Sequence, residues 1–501
     1  MREQFSKDQE RLFAETALLD ARAQLDREFG HYQVVRRNAT GMLRQLDAGI
    51  MPPAKLQEAA ERLTLDVPGY WLAPALVAAF AWIGDSETIA KRAAHQAASL
   101  DPDKSALFFS LMAARCARYD MAGQWLKEYV RSLDCRSLSA DFAVLIDAAG
   151  RGDLGAPAYE HLMGVCTGWR EQLSRDSELA HRQVERWRIF VESNRRQLGG
   201  EFDLLPGIIV GSDWNEKLDQ LEANSVFGPL KDWLGSQLVS ASSEDSVTSI
   251  DALLERLIAE HENGEAIQVK RADELQAAAG VHGNFAKPVA KPSNGKSGGQ
   301  WKRDFLTLLT DTALSTPAGA PPVRVPPWSL IFSSDFLKEA IRGLRYRNER
   351  IRPGSIEIAI GGWRRTVVYS DSEEELAAEY AEFIASEIKA ELGNFMVRLT
   401  RRSDEVYVKW QENEKIGNLK IPRVITDIHK FYSHWNYGDQ AAEDCVKLID
   451  NELKARENSS ESAADGASEP PVDSSSPGQA GKRPTRRALK LPAWDLEPPP
   501  S

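Results

Sequence analysis

Residues 290–297, AKPSNGKS, match a relaxed form of the phosphate-binding loop motif: a small residue, four residues of any type, and Gly-Lys-Ser. A working loop needs a buried strand that leads in, backbone N–H groups around the phosphates, and a helix that begins at the Lys-Ser pair. Here the preceding residues 277–289, AAAGVHGNFAKPV, lack the pattern of a strand, Pro292 removes one N–H donor, and two glycines delay the next helix to about Trp301. We therefore predict a flexible linker over 281–300 and no nucleotide site.

The histidines and cysteines do not form a catalytic or metal-binding pattern. His429 and His434 are five residues apart, which does not place them on one helical face, and the four cysteines include no CxxC pair. The sequence contains no G-x-S-x-G or H-E-x-x-H motif. We therefore predict no catalytic residues, no metal site, no cofactor and no enzymatic activity. The scattered cysteines fit a reducing, cytoplasmic compartment.

Arginine is concentrated in the C-terminal third of the chain, with aromatic residues interleaved. Arginine side chains and stacking rings on one surface can hold phosphate groups, which predicts binding of nucleic acid or another anion. The alternative is that these arginines pair with nearby glutamates, including those of the acidic stretch 373–391. The candidate residues of this patch are Arg342, Arg345, Tyr346, Arg347, Trp363, Arg364, Arg401 and Arg402.

From about Asn458 the composition changes to Ser, Glu, Ala, Gly and Pro, which cannot bury enough apolar surface to fold alone. Within this tail, GKRPTRRALKLPAWDLEPPP places basic residues before apolar ones. We predict a short docking motif that becomes ordered on a partner protein. The alternative is a solvated tail whose apolar residues contact their own domain or nothing. The motif comprises Lys482, Arg483, Arg486, Arg487, Lys490, Leu491, Trp494 and Leu496.

The N-terminal part of the chain has apolar residues at helical spacing, and residues 71–102 are its clearest unit. A first apolar helix is expected to stop at Gly84. Asp85 or Ser86 is expected to cap the next helix, and Asp101 with the following proline is expected to begin a third.

The small residues of this unit recur at a regular spacing. Ala122 repeats Ala90 after 32 residues, and Ala158 follows 36 residues later. This period, with Ala90, Ala97, Pro102 and Ala122 at the helix contacts, resembles the tetratricopeptide-type repeat over about residues 71–170, although the paired Gly and Tyr of that repeat's first helix are missing. The resemblance implies a stack of helix pairs with a concave face that binds peptides or helices. The alternative is an irregular bundle without a groove.

Residues 301–456 have the pattern of a small α+β domain. SIEIAI and WRRTVVYS alternate with period two about Gly361 and Gly362, which is typical of a hairpin with a two-residue turn. Ser372 and Glu375 form a capping box that opens a helix. NFMVRLT and EVYVKW predict a second hairpin, and a last helical stretch is expected to end near residue 456.

These patterns together predict a mainly α protein. A solenoid-like helical-repeat array over 1–200 is followed by a helical connector over 201–280, then the linker, the α+β domain, and a disordered tail over 457–501. The longest apolar run, 72–83, is too short to span a bilayer, so no membrane insertion is expected.

From this organisation we expect a cytoplasmic, non-catalytic scaffold or adaptor. It would bind one or more proteins through the groove of the array and through the tail motif. The alternative is a nucleic-acid- or nucleotide-binding subunit of a larger complex that uses the arginine-rich domain. The net charge of −12 argues against a protein that coats nucleic acid as a whole.

Overall fold

A computed structural model describes residues 2–48, 62, 67–202, 205–211, 214–239, 249–279, 302–314, 327–392, 396–402, 405–412, 415–420, 423–465 and 492–499. The predicted linker over 281–300 and the basic part of the tail motif, from Lys482 to Leu491, lie outside these residues.

Most of the described residues are helical. In chain order the elements are α1 (Arg2–Ala48), α2 (Leu72–Ile83), α3 (Glu87–Leu100), α4 (Pro102–Arg115), α5 (Tyr119–Ser132), α6 (Ala140–Gly150), α7 (Ala156–Ser174), α8 (Ser177–Ser193), α9 (Trp214–Asn224), α10 (Phe227–Val239), α11 (Ser249–Ala259), α12 (Asn263–Ala279), α13 (Phe305–Leu314), α14 (Pro327–Ile351), β1 (Ser355–Ile360), β2 (Trp363–Val368), α15 (Glu373–Leu392), β3 (Met396–Arg402), β4 (Glu405–Glu412), β5 (Lys415–Lys420) and α16 (Arg423–Asp465).

The chain forms two compact units, each made of stretches that are not consecutive in sequence. The first unit comprises Met1–Leu173, Glu244–Leu308 and Pro471–Ser501, and the second comprises Ser174–Ser243 and Leu309–Pro470. The domain limits expected from the sequence were consecutive. Local patterns do not show that α11 and α12 pack against α1 and α4, far earlier in the chain.

The first unit contains the helices of the predicted array up to Leu173, whereas residues 174–200, which the prediction also placed in the array, belong to the second unit. Helices α3 and α5 of the first unit are both 14 residues long and begin 32 residues apart, at Glu87 and Tyr119. The pairs α2–α3 and α4–α5 each pack together, and the two pairs pack against each other. The alanines predicted at the helix contacts, Ala90, Ala97 and Ala122, are fully buried. Small side chains there let the helices approach closely, which is why the 32-residue spacing was visible in the sequence.

A buried ion pair joins α1 to α12. The Arg36 guanidinium donates two hydrogen bonds to the Glu265 carboxylate, at 2.6 and 2.5 Å, one to the Glu260 carbonyl at 2.9 Å and one to the Tyr70 hydroxyl at 3.1 Å. This pairing satisfies both buried charges, so removing either partner would leave an unpaired buried charge between α1 and α12.

In the second unit, the expected local signals are present. The antiparallel pair β1–β2 places Ile360 opposite Trp363, and Gly361 has the positive φ of 62° that a tight two-residue turn requires. The capping box at the start of α15 is reciprocal: the Ser372 N–H donates to the Glu375 carboxylate at 3.1 Å, and the Glu375 N–H donates to the Ser372 hydroxyl at 3.2 Å.

The second predicted hairpin is part of a larger sheet. Strand β3 pairs with β4 as expected, and β5 adds a third antiparallel strand that the sequence did not indicate. Its sequence, KIGNLK, contains glycine and asparagine and has little of the alternation that marks a strand. The last helix, α16, continues through Asp465, beyond the predicted end near residue 456.

The described core of the second unit lies between the hairpin, α9, α15, α16 and residues 198–205. Ile358, Leu376, Phe431 and Trp435 are members of this core and are almost fully buried. Within the described residues, no helix is long and apolar enough to cross a membrane.

Candidate peptide-binding site

Two successive helix pairs of the array present equivalent turns. Asp85 follows α2 and Ala117 follows α4, and both have the left-handed backbone, with φ of 59° and 56°. The two positions are 32 residues apart, so the two helix pairs turn at corresponding places. These turns place Asp85 and Arg118 beside Trp82 of α2 and Trp125 of α5. We call these four side chains the tail groove, because all four contact the C-terminal segment.

Residues 492–499, here called the tail segment, lie in this groove, and their backbone carbonyls accept hydrogen bonds from it. The Arg118 guanidinium donates to the Pro492 carbonyl at 2.8 Å and to the Ala493 carbonyl at 3.5 Å. The Trp82 indole N–H donates to the Trp494 carbonyl at 3.2 Å. The Trp125 indole N–H donates to the carbonyl of Leu496 at 2.6 Å. Side chains of the array thereby bind the backbone carbonyls of four of the five residues from Pro492 to Leu496.

Three side chains of the tail segment add specific contacts. The Trp494 indole N–H donates to the Asp85 carboxylate at 2.7 Å. The Asp495 carboxylate forms an ion pair with the Arg118 guanidinium. The Leu496 side chain is completely buried, which removes it from water and stabilises the bound segment by roughly 1.5–3 kcal/mol.

The charge of Glu497 also acts on the array. The hydrogen bond from Lys91 to Glu87 raises the pKa of the Lys91 amine, and the nearby Glu497 carboxylate raises it further. The acidic end of the tail segment therefore lies where α3 presents a lysine.

An open cavity of about 380 Å³ lies beside the bound segment. Arg118 and the tail's Asp495 line one part of it, and Tyr119, Ala156 and Pro157 line another. The cavity therefore borders both the tail segment and the start of α7.

The sequence identified one half of this site. Trp494 and Leu496 of the predicted docking motif both contact the N-terminal helices of the first unit. Docking of the motif on a partner protein stays a prediction. The receiving residues Trp82, Arg118 and Trp125 were not predicted, because a tryptophan in a helix is ordinarily read as core. Asp85 or Ser86 was expected to cap α3. The N-cap is Ser86, which makes no side-chain capping bond.

The arginine-rich patch of the second unit shows a different outcome. Arg345 forms an ion pair with Glu443 at 2.9 Å, and Arg347 forms one with Glu192 at 2.7 Å, as the pairing alternative expected. Trp363 is buried in the core, with its ring centroid 5.2 Å from that of Tyr380, so it does not offer a stacking surface.

The remaining patch residues are distributed over three elements. Arg342 and Tyr346 are exposed on α14, and Arg364 is exposed on β2. Arg401 and Arg402 lie on β3, at the register positions opposite Val406 and Glu405. Binding of an anion by these residues stays a prediction.

Neither the family models, nor the curated proteins, nor the solved structures that we compared with this chain gave a match. The fold and the site define a class on their own: a helical-array protein that holds its own C-terminal segment in a groove between two helix pairs.

Proposed function

We propose that this protein is a non-catalytic interaction scaffold whose helical array binds short extended peptide segments. The observation that carries the proposal is the tail segment itself, with Pro492 to Leu496 held through backbone carbonyls by Arg118, Trp82 and Trp125. The second unit and the tail then serve as further attachment points, in line with the adaptor expected from the sequence.

The chemistry of the groove favours an extended peptide over a helix. The carbonyls of an extended chain are free to accept hydrogen bonds, whereas those of a helix interior are already paired within the helix. Leaving the indole N–H of a buried tryptophan without an acceptor costs about 1–3 kcal/mol. Trp125 is almost fully buried and donates to a tail carbonyl. A bound segment therefore provides the hydrogen-bond acceptor that this indole N–H needs, and the N–H pairs a carbonyl of the segment.

The test uses the full chain with its own tail segment disabled by Trp494→Ala and Leu496→Ala, here called the tail-disabled chain. A fluorescent peptide of residues 488–499 is added, and its anisotropy is measured. We expect saturable binding that Arg118→Ala weakens by about tenfold or more, since a guanidinium with several partners is lost.

A matched control is Arg131→Ala on the same helix pair, because Arg131 is exposed and pairs with Glu128 of its own helix. This variant should bind the peptide as the tail-disabled chain does. Absence of peptide binding, or equal losses in the two arginine variants, would overturn the proposal.

A further inference from the structure

We infer that the tail groove is the docking site for segments of other proteins that carry a Trp-Asp-aliphatic signature, and that the chain's own tail segment competes with them. The inference rests on the proposed function and specifies the ligand of that same site. It follows from which atoms of the tail segment are contacted and which are left to solvent.

Three consecutive side chains distinguish this segment from any other extended peptide. The Trp494 indole N–H requires an acceptor, and Asp85 supplies it at 2.7 Å. Asp495 carries the charge that pairs with Arg118, and Leu496 is fully buried. A ligand therefore needs an aromatic donor, a carboxylate and an aliphatic side chain in that order.

The flanking positions show where the groove tolerates variation. The side chains of Ala493 and Glu497 are exposed, and Ala493 is contacted through its carbonyl, which every residue type provides. Substitution at either position leaves the contacts of the three signature residues in place. The recognised partner is thus defined by the signature and not by the whole tail sequence.

The tail segment is covalently attached, so it competes at a fixed effective concentration. Only 26 residues, 466–491, separate it from the end of α16. A segment of the same chain binds as an intramolecular ligand, so a free peptide must displace it from the groove. The native chain therefore binds a signature peptide less well than the chain whose own segment is disabled.

The experiment compares the native full chain with the tail-disabled chain, using labelled peptides of residues 488–499. In the tail-disabled chain, peptides that carry Phe in place of Trp494 or Ala in place of Leu496 should each bind about tenfold more weakly. A peptide that carries Asn in place of Asp495 should lose about fivefold, since its ion pair with Arg118 is partly exposed. Peptides altered to Ser at the position of Ala493, or to Gln at that of Glu497, should bind within about threefold of the unaltered one. The native chain should bind the unaltered peptide about tenfold or more weakly than the tail-disabled chain does.

The outcomes separate the two proposals. If the unaltered peptide does not bind the tail-disabled chain, the proposed function fails. If it binds but substitutions at the flanking positions cost as much as those in the signature, or if the native chain binds it equally well, the function stands and this inference is overturned.

Discussion

The indole N–H of Trp494 donates to the carboxylate of Asp85 across 409 residues of sequence. Asp85 lies just before a helix, where an aspartate ordinarily caps that helix. Here the N-cap is Ser86, and the Asp85 carboxylate is used by the tail instead. The Asp85 side chain, at a turn between two helices, therefore contacts the bound tail segment.

A substitution at Asp85 should separate tail binding from helix stability. We expect Asp85→Gly in the tail-disabled chain to weaken binding of the 488–499 peptide by about tenfold, because glycine accepts the φ of 59° but removes the carboxylate. The control is Asp101→Ala: Asp101 caps α4 by accepting from the Lys104 N–H at 2.9 Å. That change should lower the free energy of unfolding by about 1 kcal/mol and leave peptide affinity unchanged. The opposite pattern would show that Asp85 is only structural.

The two groove tryptophans should matter through their N–H groups. Trp82→Phe and Trp125→Phe keep an aromatic ring but remove the donor to a tail carbonyl, so each should weaken peptide binding by about 1 kcal/mol. Calorimetric titration of the tail-disabled chain measures this. Trp187→Phe is the matched control, since its buried indole nitrogen has no hydrogen-bond partner within the described residues. An equal loss in that variant would point to a general packing effect.

Arg118 is expected to contribute more than its ion pair. Both partners of the pair with Asp495 keep about a quarter of their side-chain surface exposed, and such pairs contribute about 0–1 kcal/mol. Because Arg118 also donates to the carbonyls of Pro492 and Ala493, Arg118→Ala should cost more affinity than Asp495→Ala in the peptide. A double-mutant cycle of the two changes isolates the ion pair. Equal single losses would mean that the carbonyl contacts contribute nothing.

Two glycines near the groove provide a test of close packing. Gly155 and Gly152 both have positive φ, of 83° and 80°. A Cβ at Gly155 would lie 2.5 Å from the side chain of Tyr119, whereas one at Gly152 would meet nothing within 4 Å. Gly152→Ala should therefore cost about 1 kcal/mol of stability from backbone strain alone.

Gly155→Ala should cost the same strain plus the displacement of Tyr119, about 1–3 kcal/mol more. Chemical denaturation of the two variants measures the difference. Because Tyr119 is the neighbour of Arg118, Gly155→Ala should also weaken peptide binding, while Gly152→Ala should not. Equal destabilisation by the two variants would contradict the contact.

The second unit should lose stability in mild acid. Burial lowers the pKa of His434, with Lys430 and Arg196 acting in the same direction and Glu201, 3.3 Å away, opposing them. The folded pKa lies below the unfolded value of about 6.5, so the unfolded state takes up the proton first as pH falls. Stability should therefore decline below about pH 6.5, by no more than about 1.4 kcal/mol per pH unit.

The measurement is denaturant unfolding between pH 7 and 5, roughly the range over which an unperturbed histidine titrates. His434→Gln should flatten the dependence, and His429→Gln on the same helix is the control. At lower pH a second loss is expected, because the hydrogen bond from Lys430 lowers the pKa of Glu201. The ionised Glu201 stabilises the folded state at pH values above the ordinary glutamate pKa. This stabilisation is lost as the pH falls and the carboxylate is protonated. If the pH dependence of stability is unchanged in His434→Gln, this histidine is not its cause.

Local signals predicted the elements well. The cap at Asp101, the turn at Gly361 and the capping box at Ser372 depend only on residues within a few positions of one another, and each is present in the structure. Strand β5 was missed because its sequence lacks the alternation that marks a strand. The end of α16 was missed because composition describes average behaviour and does not fix a helix boundary.

By itself, the sequence determined a mainly helical chain, a 32-residue spacing of small residues in its N-terminal helices, and antiparallel hairpins in its C-terminal part. It also showed Trp494 and Leu496 as apolar residues in a polar tail. Only the tertiary structure decided which surface these two residues contact. The indole N–H groups of Trp82 and Trp125, the carboxylate of Asp85 and the guanidinium of Arg118 converge on the tail segment, and Asp85 and Arg118 each lie at a turn that contains a left-handed residue. Hydrogen bonds across hundreds of residues leave no periodic trace in a single sequence, since each partner is locally indistinguishable from a core or surface residue.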